Sequence, residues 1–170
     1  VPGIAREGIT LVISPLIALM QDQVQNLRKN GIKAIAITSA MSSREIDIAL
    51  DNVKFGGFDF LYTSPERIRT PLFIARFKQM NVGLIVVDEA HCISEWGHDF
   101  RPSYFSIFEL RKLKPNIPMM ALTATATKNV QLDIIEKLDL KNVRLHEASF
   151  LRENLSYSVF KVSNKLEYLL

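Results

Sequence analysis

Short apolar runs alternate with amphipathic stretches along most of the chain. Ile9 to Ser14 has the composition of a buried strand. Ile17 to Asn30 follows as a helix, with Ile17, Met20, Val24 and Leu27 on one face and Gly31 just past its end as a stop. Lys33 to Thr38 is again strand-like. Ser42, with Glu45 three residues on, makes a capping box for a helix reaching about Phe55, where Gly56-Gly57 breaks it. Phe58 to Thr63 returns as a strand. Thr70-Pro71 pairs a cap with proline at the first helical position and opens a helix to about Met80. Val82 to Val87 is the most uniformly apolar strand. A polar loop with aromatic residues then runs to Pro102. After it come a helix to about Leu113, a strand over Pro118 to Thr123, a helix over Lys128 to Leu138 and a last strand over Val143 to Glu147.

Strand–helix alternation of this kind predicts an α/β domain: a mostly parallel sheet, right-handed crossovers and helices on both faces. No internal repeat interrupts it. From Phe150 onward the rhythm changes. Leu155 to Val162 is extended and Asn164 opens a helix, so one domain is expected over residues 1–152 and the start of a second unit over 153–170. Val1-Pro2-Gly3-Ile4 has neither an initiator Met nor the polar character of a natural terminus, and the chain is expected to begin in mid-sequence.

Composition narrows the classes. With 170 residues, 48% of them hydrophobic, the chain can build one real core. Its apolar runs are too short to span a bilayer and no secretory leader opens it, so no membrane partner is expected. The single cysteine, Cys92, excludes an internal disulfide and suits a reducing compartment. A net charge of +3 permits a nucleic-acid partner but argues for one only if basic residues gather on one face.

The chemistry begins where the fourth strand ends, at Asp88 and Glu89. Ligands of open α/β sheets bind beyond the carboxyl ends of the strands. Nucleotide hydrolysis needs two carboxylates there, one to organise Mg²⁺ and one to orient and deprotonate the attacking water. For Asp-Glu alone, an ordinary acidic turn is the plain alternative. The other strand ends place Ser14-Pro15-Leu16, Thr63-Ser64-Pro65-Glu66-Arg67 and Thr123-Ala124-Thr125-Ala126-Thr127 on the same rim, beside His91. Hydroxyls and helix-start amides bind phosphate oxygens of a nucleotide or of a nucleic-acid backbone. Taken singly, Ser14 and Thr70 read as helix caps, and Thr123, Thr125 and Thr127 as strand residues and a cap. Trp96 and Phe100, with Arg101 beside them, suit stacking on unpaired bases plus a phosphate contact; pinning the loop to the core is the other reading. His91, Cys92 and His98 lack the paired spacing of a zinc site, so none is expected and Cys92 reads as a small apolar residue.

Asp88-Glu-Ala-His91 is the signature of the DEAH type of superfamily 2 helicases. The longer string Asp88-Glu-Ala-His-Cys-Ile-Ser-Glu-Trp-Gly-His-Asp-Phe-Arg-Pro102 resembles the RecQ family of DNA helicases, joining their acidic motif to their aromatic-rich loop. Val12 to Val24 resembles that family's motif Ia, Tyr62 to Ile68 its motif Ib, and Ala121 to Thr127 its motif III. Phe150 to Leu155 is similar to the junction between its two motor domains. The resemblance extends over nearly all 170 residues, in order.

The resemblance implies a RecA-like three-layer fold, with ATP and Mg²⁺ as cofactors. It implies 3′-to-5′ DNA unwinding in replication, recombination and repair. DNA, single-stranded and at duplex junctions, is the implied partner. The implied location is the nucleoid region of a bacterial cytoplasm or a eukaryotic nucleus. It gives Asp88 the Mg²⁺, through water, and makes Glu89 the general base. His91, Thr123, Thr125 and Thr127 would couple the nucleotide state to DNA. DNA contact falls to Ser14, Pro15, Thr63, Ser64, Arg67, Trp96, His98, Phe100 and Arg101. No Gly-x-x-x-x-Gly-Lys-Ser/Thr occurs. In the family that loop precedes the segment resembling Val1-Pro2, so its strand and helix are expected to be missing and the 170 residues alone to be inactive. Two other functions stay open. A nucleic-acid-binding or regulatory module naturally without the phosphate loop is distinguished by the reading frame upstream of Val1. An RNA helicase of a related branch is distinguished by the Trp96-to-Arg101 string, which those relatives do not carry.

Overall fold

The structure, a computed structural model, describes residues 2–148, 154–156, 158–162 and 168. Five strands alternate with five helices: β1 Ile9–Ile13, α1 Ile17–Lys29, β2 Ala34–Ile37, α2 Ser43–Lys54, β3 Phe60–Thr63, α3 Pro71–Gln79, β4 Val82–Val87, α4 Ile107–Leu113, β5 Met119–Ala121 and α5 Lys128–Lys137. Single 3₁₀ turns lie at Arg67–Arg69, Ala90–Ile93 and Pro102–Ser106. The strand order is β2-β3-β1-β4-β5 and every pairing is parallel.

Local signals set the helix ends. Ser42 accepts from the Glu45 N–H while the Glu45 carboxylate accepts from the Ser42 N–H, the complete capping box of α2. Thr70 accepts from the Phe73 N–H ahead of Pro71. Gly31 and Gly56 end α1 and α2 in the left-handed region, at φ 77° and 83°, where a Cβ would be strained.

The alternation of side chains along each strand then separates two apolar layers. On one face Leu11, Ile13, Leu61, Ile85 and Val87 meet Leu50 of α2, Phe73 and Phe77 of α3, Tyr104, Ile107 of α4 and Ile134 of α5. On the other, Val12, Tyr62, Leu84 and Val86 meet Met20 and Val24 of α1. Fully burying a side chain such as Phe73 or Phe77 contributes roughly 1.5–3 kcal/mol. The central strands β1 and β4 are covered on both sides; β4 carries the two acids to the rim and β1 carries Ser14.

Two expectations are corrected. Val143 to Glu147 forms no strand: Val143 and Leu145 stay 41% and 57% exposed, and no ladder bonds tie the segment to the sheet. Apolar alternation alone does not make a strand; a partner edge does. The helix expected from Pro102 begins as a 3₁₀ turn and becomes α-helical only at Ile107. The sheet is parallel throughout, where a mostly parallel one was expected. The boundary expected at residues 152 and 153, and the helix start at Asn164, lie outside the described residues. Among the described residues no helix is long and apolar enough to cross a membrane.

Candidate nucleotide and nucleic-acid site

β4 delivers Asp88 and Glu89 to the carboxyl rim, and the chain then turns sharply. Glu89 sits in the left-handed region at φ 47° and ψ 45°, a conformation that costs a non-glycine residue energy and needs outside support. Four hydrogen bonds supply it. The Glu89 N–H donates to Asp88 Oδ1 at 3.0 Å, and the Ala90 N–H donates to the Leu122 carbonyl at 2.8 Å. The Cys92 N–H donates to the Glu89 carbonyl at 2.9 Å. The Tyr104 hydroxyl donates to the Asp88 carbonyl at 2.9 Å. Tyr104 itself is wholly buried.

Around these acids the rim residues converge. Ser14, at the end of β1, donates its hydroxyl to Asp88 Oδ2 at 3.0 Å. His91 is buried; its Nδ1 lies 3.3 Å from Glu89 Oε2 and 3.0 Å from Thr123 Oγ1 at the end of β5. The Thr123 approach is the hydrogen bond, its direction set by the imidazole tautomer, and the Glu89 carboxylate lies against the same nitrogen at ion-pair distance. Thr123, His91 and Glu89 therefore form one chain of polar contacts from the motif III segment to the second acid. Burial, and then the charge of Asp88, raises the Tyr62 hydroxyl above its ordinary range.

The remaining expected residues divide into three groups. Pro15, Ser64 and Arg67 line a groove of about 390 Å³ together with Thr38, Ser39 and Thr70. Trp96 is 76% exposed, whereas Phe100 packs edge-on against Phe105 with centroids 5.8 Å apart. Phe100 is 36% exposed and its partner Phe105 40%, so both aromatic residues of the loop keep accessible ring surface, Trp96 the more. His98 stacks on His91 at 4.5 Å, which ties the loop to the Ala90–Ile93 turn. Arg101 donates from Nε and Nη2 to Asp99 Oδ2 at 3.1 and 2.9 Å. That pairing holds the Asp99 carboxyl below its usual range and the Arg101 guanidinium above its own.

Thr63 and Ser14 do not stand on a DNA-accessible surface. Thr63 is the last residue of β3 and shares the inner face with Leu61; it is 0% exposed and its hydroxyl has no partner. Ser14 is 1% exposed and directed at Asp88, which makes it a residue of the acid pair. Thr127 caps α5 by accepting from the Val130 N–H, and Thr125 contributes only its backbone N–H, donated to Thr123 Oγ1 at 3.3 Å. Of the three threonines, Thr123 alone touches His91. Tyr104, Ser94 and Asp133 went unnoticed in the sequence, because their roles arise from pairings between distant segments. Cys92 was expected to be apolar and is buried: desolvation, then the Asp99 charge, pushes its thiol up to about 11.

The parallel sheet, the acids on its rim and the aromatic loop define a motor-type nucleotide domain, and the comparisons agree. The model of the DEAD/DEAH box helicase family matches residues 4–132, and the chain belongs to that family. Its relatives within it are the RecQ helicases. The chain is 45% identical over 170 residues to the ATP-dependent DNA helicase RecQ of Bacillus subtilis (strain 168), covering 99% of this chain and 29% of that protein. It is 41% identical over 169 residues to the RecQ of Haemophilus influenzae, covering 99% of this chain and 27% of that protein. The chain thus spans less than a third of these relatives. In fold it is similar to the Hef helicase domain of Pyrococcus furiosus, with a TM-score of 0.59 and 22% identity over 79% of this chain and 28% of that one.

Proposed function

We propose that the 170 residues are the acid-bearing, DNA-reading part of the first motor domain of an ATP-dependent DNA helicase that moves 3′ to 5′. The observation that supports this most directly is the polar chain Thr123–His91–Glu89, held beside Asp88 and adjoining an exposed Trp96. The phosphate-cradling loop is not among these residues. Without that loop the 170 residues alone are not expected to turn over ATP.

In the parent, Glu89 accepts a proton from the attacking water. The water oxygen bonds to the γ-phosphorus as the bond to the ADP oxygen breaks. The Asp88 carboxylate is a hard oxygen ligand of the kind Mg²⁺ takes, and the Ser14 hydroxyl that donates to its Oδ2 fixes its orientation. Asp88 would hold that ion, whose chemistry is to neutralise phosphate charge. His91 orients the Glu89 carboxylate and reports on Thr123. The groove of Pro15, Ser64 and Arg67 suits the backbone of a single strand, and Trp96 suits stacking on a base of any sequence.

The test uses the full-length parent. Glu89→Gln keeps the shape and removes the base, so ATP binding persists while turnover falls about 10²–10⁴-fold. Trp96→Ala leaves ATP binding intact and lowers single-strand affinity by about 1–3 kcal/mol. A Glu89→Gln enzyme with the parental rate, or a Trp96→Ala enzyme with parental affinity for single-stranded DNA, overturns the assignment.

A further inference from the structure

Trp96 is mostly exposed, so its ring is not positioned by packing. Its backbone is positioned instead. The Trp96 N–H donates to Ser94 Oγ at 3.2 Å, and the Ser94 hydroxyl donates in turn to Asp133 Oδ2 at 2.6 Å. Ser94 is 0% exposed, and these two bonds use its single donor and one of its lone pairs. Asp133 lies on α5, 39 residues further along the chain. Lys137, one turn later on the same helix, lies 3.4 Å from the Asp133 carboxylate and donates to the Ile93 carbonyl at 3.4 Å. α5 begins five residues after Thr123, the residue that touches His91. The helix that anchors the aromatic loop thus follows directly on the segment whose Thr123 starts the path to Glu89.

We infer that Asp133 is a positioning residue for the aromatic loop: through Ser94 it fixes where Trp96 stands relative to the catalytic turn, and so sets how strongly DNA stimulates ATP hydrolysis. The inference rests on the helicase reading above. A buried serine hydroxyl has no water to turn to when its acceptor is removed, so the loop base must rearrange to satisfy it. Asp133 makes no hydrogen bond or ion pair to either acid, so its loss is expected to spare hydrolysis without DNA.

The experiment measures ATP hydrolysis by the full-length parent with and without single-stranded DNA, for Asp133→Ala, Ser94→Ala, the double variant and Asp133→Asn. Asp133→Ala is expected to lower the DNA-stimulated rate about tenfold, the scale of an orphaned buried hydroxyl, while the DNA-free rate stays at the parental level. Ser94→Ala should do the same, and the double variant should be no worse than either, because both break one link. Asp133→Asn keeps an acceptor for Ser94 and should restore most of the stimulation, whatever the melting temperatures. Additive losses, an equal fall in both rates, or full stimulation in Asp133→Ala overturn the inference and leave the helicase reading standing. A parent without any DNA-stimulated hydrolysis overturns both.

Discussion

Replacing Tyr104 with Phe removes one oxygen atom and leaves the ring in the core, so it isolates the bond from the Tyr104 hydroxyl to the Asp88 carbonyl. That bond is 2.9 Å long, and Tyr104 is wholly buried. A hydrogen bond contributes about 0.5–1.5 kcal/mol net, and a carbonyl left unpaired in the interior costs about 1–3 kcal/mol. Residue 88 is only half-buried, so water can take over part of the lost bond and the expected destabilisation of Tyr104→Phe is about 1 kcal/mol. At this chain length that is a fall of roughly 2–4 °C in melting temperature, read by thermal unfolding of the two proteins side by side near neutral pH. The pH dependence sharpens the test. Burial first, and then the charges of Cys92 and Asp88, raises the Tyr104 hydroxyl above its ordinary value of 10.0. A folded-state value above the unfolded one contributes stability that is fully present below about pH 10 and is lost as the pH rises further. The parent should lose this contribution in alkali while Tyr104→Phe has none to lose, so the gap between the two narrows above about pH 10. The Tyr104 hydroxyl lowers the Cys92 thiol, so the comparison is made with Cys92→Ala in both proteins. Equal melting temperatures at neutral pH, or a gap that widens in alkali, would refute the claim that this hydroxyl supports the turn holding Glu89.

Two further outcomes follow from the same contacts. Ser42→Ala breaks the capping box of α2 and should lower stability by about 0.5–2 kcal/mol in denaturant titrations. Hydrogen bonds from Ser42 hold the Glu45 carboxyl below the ordinary carboxylate value of 4.5, so the capping contribution should be present above that pH and fade as the pH falls through the carboxylate range. Cys92, with its thiol raised to about 11 from 9.0, should resist an aromatic disulfide reagent near pH 8 in the folded protein and react promptly once denaturant is added. Rapid labelling of the folded protein would show that the Ala90–Ile93 turn is open to solvent.

What the sequence determined by itself is what neighbours along the chain determine. Gly31, the Ser42–Glu45 box and the Thr70-Pro71 pair act within a few residues, and each ends or begins a helix where it was expected. The apolar run of β4 followed by Asp88 and Glu89 needed no partner to be read as a strand bringing acids to the rim, and the motif strings placed the chain in its family. Other assignments depended on contacts between distant segments. Whether Thr63 faces DNA or the core was decided by the register of β3 against β1. Whether Val143 to Glu147 is a strand was decided by the lack of ladder bonds to the sheet. Ser14 became a partner of Asp88 across 74 residues, Tyr104 a support for the Asp88 carbonyl across 16, and Asp133 the anchor of Ser94 across 39. Caps and amphipathic periods are enforced by bonds within one turn of chain, so residue order alone encodes them. A hydroxyl or carboxylate finds its partner only after packing has removed water from both, and that happens in the folded molecule.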